Sequence, residues 1–364
     1  MSLQLAQTIT RPTVLLRKKS KYRGVTTTRP WNPWIGCFKV SPGCDNCYIF
    51  RILRPNHNPN VVVPTKGINP VTNVNSSPPL HWGKRRDITF TCSLSDFLIR
   101  DADAWRPRAW EVIRRTPNIT YNILTKRVQR ILTHPDKCLP DDWVTTAHPN
   151  GYPNVALGVT VEKPQFLWRI DMLNKIPCVF RWLSAEPLLE PLPTLHKYIG
   201  RNQISMVHCG GESDKWHPRR PQAPPGGTWR DAFRQIRDQC AQAKIPFFFL
   251  QQGGSQPCTC GCGCKWGCRR LDGRWHQEFP FPTLIARGPR HGRRQRERVL
   301  NVLAKQKIET FRTPIQIEVT PGNPRQVDRV LLTKIITNQQ LNQLRADLSN
   351  TTIALQTWPY MFPS

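Results

Sequence analysis

No stretch of eighteen apolar residues occurs in the 364-residue chain, so no membrane-spanning helix is expected. The N-terminal region has no apolar core of the secretory kind and no acid before Asp45. Its Arg and Thr content is faintly similar to an organelle transit sequence, but a basic arm over residues 1–28 is the commoner reading. There is no internal repeat, so a stacked-repeat architecture is not expected. Disulfide-type spacing is missing as well. The thirteen cysteines include tight clusters of the metal-site kind, which suits a reducing cytoplasm. Acid is scarce throughout: 24 acidic residues face 53 basic ones, for a formal charge of +29. A chain this basic is attracted to polyanions, nucleic acid first among them.

The basic excess is spread along the chain. Residues 1–24 hold six basic residues and no acid, and residues 287–300 hold six arginines against Glu297, so most of the +29 lies elsewhere. Arg17, Lys18 and Lys19 at one end and Arg293 and Arg294 at the other are candidates for phosphate contacts, which position a nucleic acid without reading its sequence. The plain alternative is a solvated basic surface that binds nucleic acid only non-specifically.

Cys37, Cys44 and Cys47 sit in one short loop, with six residues between the first two and two between the last two. Three thiolates from one loop can hold a four-iron four-sulfur cluster by three corners and leave the fourth iron open. A closed structural site wants four protein ligands. Pro42-Gly43 turns the loop sharply and lets Cys37 fold back on the other two. The spacing equally admits a zinc site completed elsewhere, or ordinary buried thiols.

Short apolar runs follow at 87–93, 119–125, 154–160, 178–184, 204–210 and 245–250, rich in β-branched and aromatic residues and mostly without strict alternation. Such runs suit strands buried on both faces of a parallel sheet. Helical patterns lie between them at 104–115, 165–174 and 228–240. In the last, Thr228 and Asp231 form a capping-box pair, and Trp229, Phe233, Ile236 and Cys240 share a face. The fold class expected is α/β, a partial parallel (β/α) barrel of about six units, too few for the eight-fold barrel. Reacting groups in such folds gather at the carboxyl ends of the strands. Here those ends carry Ser93-Leu94-Ser95-Asp96, Thr125-Lys126-Arg127, Thr160-Val161-Glu162, Ser184-Ala185-Glu186 and Gly210-Gly211-Glu212.

Together with Trp31-Asn32-Pro33-Trp34-Ile35-Gly36-Cys37 and Leu271-Asp272-Gly273-Arg274, these motifs resemble a phage-associated three-cysteine-motif family related to the radical S-adenosylmethionine superfamily. The resemblance runs from about residue 30 to 282, with the motifs in the same order. It implies a cluster on Cys37, Cys44 and Cys47, bound S-adenosylmethionine, a protein that supplies electrons, and hydrogen abstraction by a 5′-deoxyadenosyl radical. Gly210, Gly211 and Glu212 are the implied cofactor-binding residues. Glu162 and Glu186 are alternatives for the cofactor's amine or ribose hydroxyls, and Lys126 or Arg127 for its carboxylate. Cys92, Cys209 and Tyr48 are candidate hydrogen-atom donors that read equally as core or packing residues. Two departures stand out. The superfamily's first cysteine gap is three residues rather than six, and its Gly-Gly-Glu follows an early strand rather than a late one. Base repair or modification in nucleic acid is the expected activity, against a non-enzymatic zinc protein that binds nucleic acid.

A second run, Cys258, Cys260, Cys262, Cys264 and Cys268, places five thiols in eleven residues, with His276 nearby. It suits zinc, copper(I) or a second iron-sulfur cluster. The expected organisation is a basic arm (1–28), the barrel (29–286) with this cysteine-rich insertion at 255–270, an Arg-rich linker (287–300), and a small α+β appendage (301–364). In that appendage 313–320 reads as a strand, 321–324 as a turn and 326–348 as helix.

Overall fold

The computed structural model of the protein describes residues 30–83, 87–200, 202–212, 218–256, 258, 267–276, 278 and 346, and the strands 283–289, 317–318, 325–331 and 353–356. The elements run β1 (Trp34–Ile35), α1 (Ile49–Ile52), β2 (Val63–Pro64), β3 (Asp87–Thr91), α2 (Arg106–Arg115) and β4 (Ile119–Thr125). They continue with α3 (Gln129–Thr133), α4 (Pro135–Cys138), β5 (Val155–Thr160), α5 (Trp168–Asn174), β6 (Phe180–Ala185), β7 (Val207–Gly210), α6 (Asp231–Gln242) and β8 (Phe247–Gln251).

Strands β3 to β8 form one parallel sheet in sequential order, as expected for consecutive βα units. Register is regular from Asp87↔Ile119 to Ala185↔Cys209, and slips once where Gly210 pairs with Gln251. The sheet curls. Phe90 on β3 and Trp182 on β6 are three strand spacings apart, about 14 Å in a flat sheet. Their rings nonetheless meet at 6.3 Å. That contact requires the sheet to close towards the face bearing Phe90, Trp182, His208 and Phe248, which gives a half-barrel.

The convex face is the larger core. Tyr121, Val155, Leu157, Leu183, Val207 and Phe249 are buried there with Trp110, Ile113, Ile170, Phe233 and Ile236 from the helices. Burial along β5 is complete, whereas β4 alternates between buried and half-buried positions, because its concave-side residues face the open trough. Thr228 and Asp231 pair ahead of α6, the Asp231 carboxylate accepting from the Thr228 N–H and hydroxyl at 2.5 and 2.8 Å, but Arg230 takes the cap position, so the pair is not the expected capping box. Phe233, Ile236 and Cys240 are buried along its inner face.

A separate four-stranded antiparallel sheet has the order β10-β11-β9-β12, made of β9 (Thr283–Pro289), β10 (Ile317–Glu318), β11 (Arg325–Leu331) and β12 (Ile353–Gln356). Strand β9 lies across the boundary expected at residue 286. The helix expected over 326–348 begins instead as strand β11, because seven residues from Arg325 to Leu331 pair with β9. A distant partner of this kind overrides a local helical pattern. The turn expected at 321–324 lies outside the described residues. Among the described residues no helix is long and apolar enough to cross a membrane.

Candidate functional site

The cysteine loop is fastened over the C-terminal mouth of the half-barrel by four strand ends. At β3, the Gly36 N–H donates to the Leu94 carbonyl at 3.0 Å, the Ser95 hydroxyl donates to the Gly36 carbonyl, and the Tyr48 hydroxyl donates to the Ser93 carbonyl. After β4, Arg127 donates to the Phe38 carbonyl at 2.8 Å and lies 3.9 Å from Cys37 Sγ. After β5, Glu162 accepts from the Gly43 N–H at 3.3 Å. After β7, Glu212 accepts from the Asn46 amide at 2.9 Å. Arg219 completes the clamp, bonding Glu212, Asp45 and the Pro42 carbonyl at 2.6, 2.9 and 2.6 Å.

The loop can begin where it does only because residue 36 is glycine. Its φ is +97°, and an added Cβ would lie 2.1 Å from the Val61 carbonyl oxygen. Gly36→Ala is therefore expected to destabilise the fold by about 2–4 kcal/mol, through left-handed backbone strain and a backbone collision. Urea denaturation checks this; a cost below about 1 kcal/mol would mean that the loop can be rebuilt.

Cys37 and Cys44 are buried and Cys47 is partly so. Burial pushes the Cys37 thiol up to about 12, with Asp96 and the other two thiols adding to the rise and Arg127 opposing it. Cys47 is also raised by burial, against the pull of the Ile49 N–H, Lys126 and Lys39. The three thiols thus share one electrostatic neighbourhood. Among the described residues no group of three or more His, Cys, Asp or Glu side chains is arranged so that it could hold a metal ion.

Asp96 organises the floor below. Its carboxylate accepts from the Thr125 hydroxyl, the Lys126 and Leu98 N–H groups and Arg127, at 2.7, 2.9, 2.9 and 3.1 Å. Glu162 is fully buried in an ion pair with Arg169 at 2.9 Å, and burial, which would raise the Glu212 carboxyl, is outweighed by Arg219 and Asn46, which lower it. Gly210 leaves room for the Glu186 carboxylate, and Gly211 lies against the Gln252–Gly253 backbone, where a Cβ would come within 2.3 Å of an oxygen. These candidates therefore hold the protein's own loop and strands.

Glu186 and Lys126 differ from them. Among the described residues neither forms a salt bridge. Glu186 lies at the floor of the mouth, surrounded by protein yet still partly open, and burial lifts its carboxyl to about 7 against the pull of Gln251, Lys126 and Arg269. The Gln251 amide donates to it at 3.4 Å. The Lys126 ammonium is half-buried and acts electrostatically on both Cys47 and Glu186.

Of the hydrogen-donor candidates, Cys92 and Cys209 are buried, with thiols pushed well up by burial, and Cys209 belongs to the convex core. In the second run, Cys258 and Cys268 are partly buried, and the Arg270 N–H lies 3.3 Å from Cys268 Sγ. Cys260, Cys262 and Cys264 lie outside the described residues, as do Arg17, Lys18, Lys19, Arg293 and Arg294. His276 packs edge-on to Phe247 at 5.7 Å. Asp272, from the Leu271–Arg274 motif, fastens α6 through Arg234 and Arg237.

Sequence reasoning missed Asp96, Arg169 and Arg219 as organisers of the site. Arg169 carried a signal, a cation flanked by the apolar residues of a helical pattern. Arg219 carried none, since it reaches the loop only through the fold.

No curated protein and no solved structure matches the chain. Residues 25–280, which hold the cysteine loop, the half-barrel and every fastening described above, match a family described as protein of unknown function (DUF5131), and the chain belongs to that family.

Proposed function

We propose that the protein is an iron-sulfur enzyme of the radical S-adenosylmethionine type, similar to the phage-associated three-cysteine proteins. It acts on nucleic acid, in base repair or modification, in a reducing cytoplasm and with a protein electron donor. The observation that carries this reading is the three-cysteine loop fastened over the barrel mouth beside two uncommitted charged groups, Lys126 and Glu186.

Three thiolates from one loop are the number a cubane takes with one iron left open, one fewer than a closed structural zinc site wants. A zinc ion needs all its ligands within about 2.0–2.3 Å of one point, whereas a cubane takes its three thiolates on three different irons. Cys37, Cys44 and Cys47 would hold it, and with S-adenosylmethionine it supplies one-electron chemistry for hydrogen abstraction. The chain's own groups do the rest. Arg127 offsets the negative charge that three thiolates would bring to the loop. The Lys126 ammonium offers a partner for a carboxylate. Glu186, titrating near neutrality, can accept a hydrogen bond from an amine or hydroxyl, or hold a proton, at the floor of the mouth. The loop above limits water and oxygen at that floor.

Anaerobic purification followed by iron, sulfide and zinc analysis tests the reading. Wild type is expected to hold about four irons that the Cys37→Ala/Cys44→Ala/Cys47→Ala variant loses. Zinc alone, unchanged by the triple substitution, would move the metal to the second cysteine run. The protein would then read as a zinc-containing nucleic-acid binder.

A further inference from the structure

The loop and helix that join β7 to β8 are rich in arginine, and Arg219, Arg234 and Arg237 there already have acids. Arg219 holds Glu212 and Asp45, Arg234 holds Asp231 and Asp272, and Arg237 holds Asp238 and Asp272. Arg220 and Arg230 do not: among the described residues neither forms a salt bridge. Both are exposed, and both guanidinium groups lie over the Trp229 indole, at 4.4 and 4.5 Å from its centroid. The Gln252–Gly253 segment holds them there. Arg220 donates to the Gln252 and Gly253 carbonyls at 2.9 and 2.7 Å, and Arg230 lies 3.4 Å from the Gln252 side-chain oxygen. Arg269 and Arg270 lie over Trp275 in the segment bonded to the same Gln252. Two like charges fixed on one indole repel each other, and the Arg220 guanidinium is lowered by burial and by Arg230.

We infer that Arg220 and Arg230, fixed on Trp229 at the rim of the barrel mouth, bind the phosphodiester backbone of a nucleic acid and hold it beside the site. This rests on the nucleic-acid reading proposed above and gives that reading a place on the surface. A phosphate within reach of both guanidinium groups would relieve their repulsion and accept charge-assisted hydrogen bonds from donors already oriented. Because the contact is to phosphate, it positions a strand without selecting its bases.

The test uses the full chain, short fluorescein-labelled DNA and RNA single strands of one sequence, and anisotropy titrations over a range of salt concentrations. Arg230→Gln removes one guanidinium with little packing. Lys175→Gln removes one charge at the opposite end of the barrel, where α5 leads into β6. Arg230→Gln is expected to weaken binding about five-fold and to reduce the salt slope by about 0.7–0.9, with Lys175→Gln close to wild type. Arg230→Lys, which keeps the charge without the planar fork, should recover part of the loss. Matched thermal melting of the variants guards against misfolding. Equal losses in Arg230→Gln and Lys175→Gln, or none in either, would overturn the inference and leave a diffuse basic surface. Wild type that binds neither strand would overturn the nucleic-acid reading itself and this inference with it. Where binding holds, the more tightly bound strand names the polymer.

Discussion

Glu162→Gln is expected to lower the stability of the protein by about 3–5 kcal/mol, one of the largest losses for a single atom exchange in the chain. Glu162 and Arg169 are both almost wholly buried and pair at 2.9 Å. Arg169 also donates to the Thr160 carbonyl at 2.8 Å and lies 4.2 Å from the Phe166 ring. Neutralising the acid leaves a guanidinium in a low-dielectric interior without a counter-charge, which costs more than the pair itself contributes. The Gly43 N–H would also lose its charged acceptor, so one corner of the cysteine loop loosens. Urea denaturation of the variant checks the first effect; under the proposed function, iron retention during anaerobic gel filtration checks the second. Glu162→Gln combined with Arg169→Met should recover much of the stability without recovering iron retention. A loss below about 1 kcal/mol for the single variant would mean that water or a rearranged carboxylate reaches Arg169.

Glu186→Gln should act in the opposite direction, and only at the higher pH. The carboxyl titrates near 4.5 in its ordinary state and near 7 in the fold. Between those values the folded chain holds a proton that the unfolded chain has released, so wild-type stability falls as pH rises through the window. Below the window both states are protonated and Glu186 contributes no penalty. Above it the penalty is complete, about 2–3 kcal/mol for a group that keeps some access to water. Glutamine carries no charge to desolvate. In the cluster-free protein the variant should therefore match wild type near pH 4.5 and exceed it by that amount at pH 8. The comparison is of urea midpoints at a series of pH values. A difference independent of pH would show that packing, not the carboxyl's charge, separates the two proteins. Under the proposed function the same variant should lose binding of S-adenosylmethionine or turnover, so a more stable protein would be a less active one.

Much of the barrel was legible before the fold was seen. The six apolar runs correspond to β3 through β8 within a few residues, because β-branched and aromatic residues fill each run and polar residues gather only where it ends. The helical patterns at 104–115 and 228–240 became α2 and α6, while 165–174 divided into a short 3-10 turn (Pro164–Phe166) and α5. The Arg325–Leu331 segment was misread because its partner β9 lies some forty residues earlier in the chain. No local pattern records such a partner.

At the site, the strand ends and the cysteine loop could be expected to meet from the order of residues alone. Polar groups placed directly after parallel strands must gather at one mouth, and Pro42-Gly43 between the cysteines must turn the loop back on itself. What each group does there was left to the tertiary structure. Glu162, Glu186 and Glu212 look alike in sequence, each an acid just past a strand end. Arg169 on α5 and Arg219 on the 218–225 loop neutralise two of them, and both of those acids accept a bond from the cysteine loop. No cation pairs with the third among the described residues, and burial keeps its proton on up to about pH 7. A carboxyl's role follows from the charge and water within a few ångströms of it, and only the folded chain brings those neighbours to it.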